Sequence, residues 1–228
     1  EIPMERLNDA VSRIWAMKER FGLLDAHRQL IRPVTTEEKN EIKDAAITIT
    51  ENSITLVRDT DHKLPLDPAK TKKLLLVAVT PEARKGNDRD YKQLLNLREE
   101  FERSGFDVAF RRNILYEEQG WEDQSTELYD MVIFLVPRST HTPFGPLQLW
   151  DMEAQSVWAA NSMDKSKVMV ISLGNPYIGN EYFERVKIYI NTYSNDASTH
   201  QALLKALTGK IPFKGISPVN LESGIFNF

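Results

Sequence analysis

Arg138, Ser139, Thr140 and His141 stand side by side in the stretch "PRSTHTPFG". Two further polar stretches have similar reach, "GNPYIGN" with Asn175 and Tyr177, and "TYSND" with Tyr193. Each follows an apolar run that reads as a strand. Ligands of open α/β sheets bind beyond the carboxyl ends of the strands, so polar and aromatic groups there can meet a sugar or a neighbouring domain. Arg138, His141, Asn175, Tyr177 and Tyr193 are therefore the candidate residues for a substrate cleft or a domain interface. The plainer role of Gly174, Asn175 and Pro176 is to end a strand and turn the chain. Glu117, Glu118, Glu122 and Asp123 fall in one loop region, where a solvated surface is the default.

Other chemistries find less support. The 228 residues contain no cysteine, which excludes disulfides, thiolate metal sites and a cysteine nucleophile. The four histidines, His27, His62, His141 and His200, are far apart and show no metal-ligand spacing. A serine nucleophile elbow, G-x-S-x-G, does not occur. The turn after the first aliphatic strand, "TPEARKGNDRDY", holds only Gly86, so neither common phosphate cradle is present. No cofactor is expected. A net charge of -4 gives no global basic field for nucleic acid or anionic lipid. No apolar run approaches the roughly 20 residues of a membrane span. The compartment stays open between cytoplasmic and exported. The sequence begins with Glu1 rather than Met, as expected of a processed product or a cut piece.

The elements that hold the candidate residues follow a rhythm from about Lys70 onward. "KLLLVAV", "GFDVAF", "DMVIFLV", "KVMVISL" and "RVKIYIN" read as strands. "YKQLLNLREEFERS", "GPLQLWDMEAQSVWAANS" and "DASTHQALLKALTG" read as the helices between and after them. Alternation of this kind implies βαβ units and a mostly parallel sheet covered on both faces. The expected fold is a three-layer α/β/α sandwich of five or six strands. Taken alone, it suits three roles: accessory domain, flavodoxin-like ligand-binding module, or structural and oligomerisation domain.

Two zones precede it. In the first, Pro3 suits a first helical turn, and Leu7, Ala10, Val11, Ile14, Met17 and Phe21 fall on one face at helical spacing. Gly22 stands where a C-terminal cap belongs. This helix is about five turns long and has an apolar stripe with no partner of its own. In the second, Thr35 or Thr36 caps a helix with Glu37 and Glu38 in its first turn, although the β-branched "ITIT" argues locally for strand. "SITLVRD" is a short apolar piece before a polar turn. Trp15, Trp150 and Trp158 lie on predicted helices as packing residues, and Trp121 precedes the third strand. The tail "GIFNF" has too little context to place.

The order of these phrases resembles glycoside hydrolase family 3. "RLNDAVSRIWAMKERFGLLD" resembles the final helix of that family's barrel, and "DAAITITENSITLVRD" with the following "LPL" resembles the start of its second domain. "SLGNPYIGN", "NTYSND" and "ALTGKIPFKGISPVNL" resemble the later strand ends and the closing phrase of that domain. The likeness is greatest to the branch acting on β-N-acetylglucosaminides. It implies three parts: residues 1–25 as the last helix of a (β/α)8 barrel not included here, residues 26–68 as linker and start of the second domain, and residues 69–228 as the sandwich.

The resemblance also implies where the chemistry resides. Retaining glycosidases use two groups about 5 Å apart, a nucleophile and an acid/base. In this family the nucleophile is a barrel aspartate, and in this branch the acid/base is a histidine paired with an aspartate on a barrel loop. Neither motif occurs in the 228 residues, so no catalytic residue is assigned. The expectation is a C-terminal accessory domain whose partners are the catalytic barrel of the same polypeptide and its glycan substrate. The parent protein would be a β-N-acetylhexosaminidase-like hydrolase, and this piece alone inactive.

Overall fold

The computed structural model describes residues 2–25, 32–81, 88–114, 125–138, 148–149 and 152–219. The chain divides into two compact units, Glu1–Lys43 and Asp44–Phe228, and the division falls within a helix.

The first unit holds α1 (Met4–Arg20) and the start of α2 (Thr36–Ser53). Pro3, extended at φ -61° and ψ 141°, precedes α1 without needing an N–H. Gly22 at φ +62° ends it, its N–H donating to the Glu19 carbonyl while that of Leu23 donates to Lys18, each at 2.8 Å. This paired closure satisfies carbonyls that a helix end leaves open. No residue of α1 is buried. At the start of α2, Thr35 Oγ1 accepts from the Glu38 N–H at 3.2 Å, and Glu38 Oε2 accepts from the Thr35 N–H at 2.9 Å. This reciprocal box selects Thr35 as the cap. The "ITIT" run is helical, with Thr48 and Thr50 hydroxyls donating back to the carbonyls of Asp44 and Ala46. Those bonds use the threonine side chains within the helix and offset their strand preference.

The second unit is built on six strands: β1 (Thr55–Asp59), β2 (Lys73–Ala78), β3 (Asp107–Arg112), β4 (Met131–Val136), β5 (Val168–Ser172) and β6 (Ile188–Asn191). Their spatial order is β1-β6-β5-β4-β2-β3. All neighbours are parallel except β1, which runs antiparallel along β6. The apolar piece in "SITLVRD" is thus the sixth strand. Strands β2, β4, β5 and β6 suit a parallel core because their runs are buried almost throughout, whereas the edge strand β3 is half-buried.

Among the described residues, five α-helices accompany the sheet: α3 (Arg89–Arg103), α4 (Ser125–Leu128), α5 (Met152–Ser162), α6 (Ile178–Tyr182) and α7 (Ala197–Leu207). On one face Leu94, Leu97 and Phe101 of α3 and Leu203 and Leu207 of α7 meet Leu74, Leu76, Ile133, Ile171 and Ile190. On the other, Val157 and Ala160 of α5 join Ile178 of α6 against Val77, Val132, Phe134, Val170 and Tyr189. Alternation along each strand sends successive side chains to opposite layers. The result is the expected α/β/α sandwich. Trp158 differs from the sequence reading: it lies on the exposed side of α5, opposite the packed Val157 and Ala160.

Candidate functional site

Strand β2 lies between β3 and β4, so successive crossovers leave it in opposite directions. Its carboxyl end is therefore the sheet's topological switch point, where open α/β sheets leave a crevice. Arg112, at the end of β3, braces one flank. Its Nε donates to Thr80 Oγ1 at 2.9 Å, and its Nη1 and Nη2 donate to Asp88 at 3.2 and 2.7 Å. Nη2 also donates to the Pro81 carbonyl, and the guanidinium stacks 4.5 Å above the Tyr91 ring. Asn113, at φ +50°, exchanges two hydrogen bonds with the backbone of Thr80. Both bonds form where the side chain is buried, so they close this corner without water.

Arg138 stands across the switch point, just after β4. Its Nη2 donates to Glu153 Oε2 at 2.6 Å, and the glutamate side chain is only 1% exposed against 28% for the arginine. A carboxylate buried this deeply requires an opposite charge. Glu153 lies in the first turn of α5, on the same buried face as Ser156, Val157 and Ala160. That spacing was the sequence signal for it: a charge on an otherwise packed face.

The next two loops bring in further predicted residues. The Arg138 carbonyl accepts from the Asn175 N–H at 2.7 Å, joining the ends of β4 and β5. Asn175 Oδ1 caps the Tyr177 N–H at 2.8 Å, and Ser172 Oγ donates to the Asn175 carbonyl at 2.8 Å. Tyr177 is itself exposed. Beyond β6, Tyr193 takes φ +61° and donates its hydroxyl to Thr55 Oγ1 at 3.0 Å. Arg138, Asn175, Tyr177 and Tyr193 thus line up along one edge, through adjacent loops. The strand turns also carry structural bonds, as the plainer reading of Asn175 anticipates. His141 lies outside the described residues, as do Ser139, Thr140, Trp121, Trp150, the four loop acids and the "GIFNF" tail.

The same edge carries two strongly perturbed groups. Asp196 caps α7, accepting from the Thr199 N–H at 3.0 Å and from the hydroxyls of Ser194 and Ser198. Burial alone would raise its pKa, but these hydrogen bonds outweigh it and hold the carboxyl below the usual range. Burial pushes the His200 imidazole down to about 4, against the opposing pull of Asp196. His200 Nε2 lies 2.9 Å from Asn195 Oδ1. Among the described residues no group of three or more His, Cys, Asp or Glu side chains could hold a metal ion. No described helix is long and apolar enough to cross a membrane.

No family model matches the chain. A β-N-acetylglucosaminidase/β-glucosidase of Cellulomonas fimi is 28% identical over 240 residues, covering 98% of this chain and 40% of the relative. The solved structure of a β-glucoside phosphorylase, BglX, superposes with a TM-score of 0.74 at 27% identity, over 99% of this chain and 40% of the other. A glycoside hydrolase family 3 β-N-acetylglucosaminidase from Paenibacillus sp. str. FPU-7 gives 0.61 at 25% identity, over 96% of this chain and 40% of its own. The chain therefore spans about 40% of the length of the relatives it matches. A five-stranded parallel core with an antiparallel edge, and alignments over almost its whole length, make the chain similar in sequence and fold to one part of these proteins, among them a glycoside hydrolase family 3 enzyme.

Proposed function

We propose that this domain is the accessory part of a retaining glycosidase, and that the whole protein removes terminal β-linked N-acetylglucosamine from glycans such as cell-wall fragments. One observation carries the reading: nearly all of the chain aligns, but with only 40% of a relative named for β-N-acetylglucosaminidase and β-glucosidase activity. On this reading residues 1–25 close a catalytic (β/α)8 barrel in the same polypeptide, residues 26–68 link it, and residues 69–228 form the sandwich. The exposed apolar stripe of α1 supports that assignment. The barrel supplies the nucleophile and acid/base. The sandwich buttresses it, and Arg138, Asn175, Tyr177 and Tyr193 are the described residues that would meet the cleft or the domain interface, with His141 the further sequence candidate.

The test is an assay of the whole polypeptide beside the 228-residue chain, on aryl β-N-acetylglucosaminide and aryl β-glucoside. Turnover of the first substrate by the long form only is the expected result. Preference for the glucoside would correct the substrate, and turnover by the short chain would overturn the accessory role. Arg138→Ala, Asn175→Ala and Tyr177→Ala in the whole protein address the cleft: altered KM with retained folding supports it, and unchanged kinetics in all three leave only the buttress.

A second reading is favoured by the similarity to a β-glucoside phosphorylase. The glycosyl group would then pass to inorganic phosphate rather than water. Assays with and without phosphate separate the two, because phosphorolysis yields the sugar 1-phosphate and hydrolysis the free sugar.

A further inference from the structure

Asn191 ends β6 with its side chain fully buried, and among the described residues neither its Nδ2 nor its Oδ1 has a hydrogen-bond partner. An amide offers two donors and an acceptor with two lone pairs. Leaving all of them unpaired in the interior is costly, and an apolar side chain of similar size would avoid the cost. Native interiors seldom keep such a group without a use for it.

Its neighbours define what that use is. Asn191 pairs in register with Ser172 of β5 and with Thr55 of β1. Strand alternation places this row on the Tyr189 and Val170 face of the sheet. On the opposite face, the row one residue deeper, Ile171, Ile190 and Leu56, is wholly apolar. The Ser172–Asn191–Thr55 row lies at the carboxyl edge of β5 and β6, where α/β sheets receive ligands. Thr55 Oγ1 donates to the Ser53 carbonyl at 2.9 Å and accepts from Tyr193, and Ser172 Oγ donates to Asn175. The hydroxyls are engaged, and the amide between them is not.

We propose that Asn191 is a binding residue for a neutral donor–acceptor group, a hydroxyl or amide of a saccharide, at the joined ends of β5, β6 and β1. Ser172, Asn191, Thr55 and Tyr193 carry no formal charge, so the row is matched to a neutral group rather than an anion. The naming of a saccharide rests on the glycosidase reading; the need for a neutral partner does not. The turn at Asn175–Pro176 lies over this face, held by the Ser172 bond and by the Tyr189 hydroxyl, which donates to the Pro176 carbonyl at 3.4 Å. Entry lifts that turn, breaking one good bond and one long one.

Every group of the site belongs to this chain, so the chain itself is the sample. The 15N-labelled 228-residue chain is titrated with N-acetylglucosamine, with glucose, and with inorganic phosphate as an anionic control. The expected result is a saturable shift of the Asn191 side-chain NH2 signal with a sugar and none with phosphate. In Asn191→Leu, affinity should fall by about tenfold or more while the melting temperature holds or rises. A silent NH2 signal in the unmodified chain overturns the proposal, as does equal sugar affinity in the folded variant. Glycosidase activity of the whole polypeptide is independent of this titration. An active enzyme with a silent Asn191 removes only the site, and a responsive Asn191 without activity removes only the glycosidase reading.

Discussion

Helices α1 and α3 carry the same kind of pattern and meet opposite fates. In α3 the stripe of Leu94, Leu97 and Phe101 is completely buried. In α1 the stripe of Leu7, Ile14 and Phe21 is exposed by 48%, 49% and 60%. Both stripes recur at helical spacing, and both helices end with a cationic last turn. Capping, spacing and terminal charge act within one helix, so they specify it locally. Burial needs a second surface, which β2 and β3 provide for α3. An amphipathic stripe therefore states that a partner face is wanted, without stating which one.

The sharpest way to break this comparison is to cut the two stripes equally. Phe101→Ala should cost about 3–5 kcal/mol of global stability in this chain, because it leaves a cavity in a closed core. Phe21→Ala should cost under about 1 kcal/mol, as expected for a surface position. Urea unfolding of both variants measures the contrast; equal losses would mean that α1 has a buried partner in solution.

A pH series sharpens it next. The His200 pKa falls from an ordinary 6.5 to about 4 on folding, so the unfolded chain binds the extra proton between those values. Its contribution to stability is complete above pH 6.5 and fades as pH falls toward 4. The loss is on the order of 3 kcal/mol by linkage. Urea midpoints at pH 7 and pH 4 should differ more in the native chain than in His200→Gln. Equal pH slopes would show that the imidazole stays solvated. The Asp196 carboxyl, also lowered on folding, adds stability that is lost only at still lower pH.

Two glycine caps offer a smaller contrast. Gly22 and Gly209 both take positive φ, but a Cβ at Gly22 would meet nothing within 4 Å, whereas at Gly209 it would meet Pro65 at 3.1 Å. Gly22→Ala should cost about 1 kcal/mol, felt as fraying at the end of α1. Gly209→Ala should cost more, and its loss should appear in global unfolding. Hydrogen exchange at each helix end reads both, and a fraying-only effect at Gly209 would contradict the close contact.

The weakest effect is expected from Lys205 and Glu51, paired at 2.6 Å but partly solvated. A double-mutant cycle should return under about 1 kcal/mol and shrink with salt. A larger, salt-insensitive coupling would place the pair in a dry environment.

The fold was largely legible because its signals are local. Five aliphatic strand runs, the α3 and α7 patterns and the Gly22, Gly105 and Gly209 caps all act within about one turn of chain. β1 was harder to read, since its antiparallel pairing with β6 joins residues far apart in sequence. The site was legible only as a set of loops. Arg138, Asn175, Tyr177 and Tyr193 could be named from their places after strands. That Arg138 rests on a buried Glu153, and that Tyr193 reaches Thr55, depends on contacts between distant segments.

By itself, then, the sequence determined most of the longer helices, five of the strands, the parallel α/β class and the edge at which polar groups gather, because periodicity and capping are properties of neighbouring residues. Only the tertiary structure decided the strand order, the burial of Glu153 and the isolation of the Asn191 amide. Each of those is a relation between surfaces, set by what the rest of the chain brings alongside.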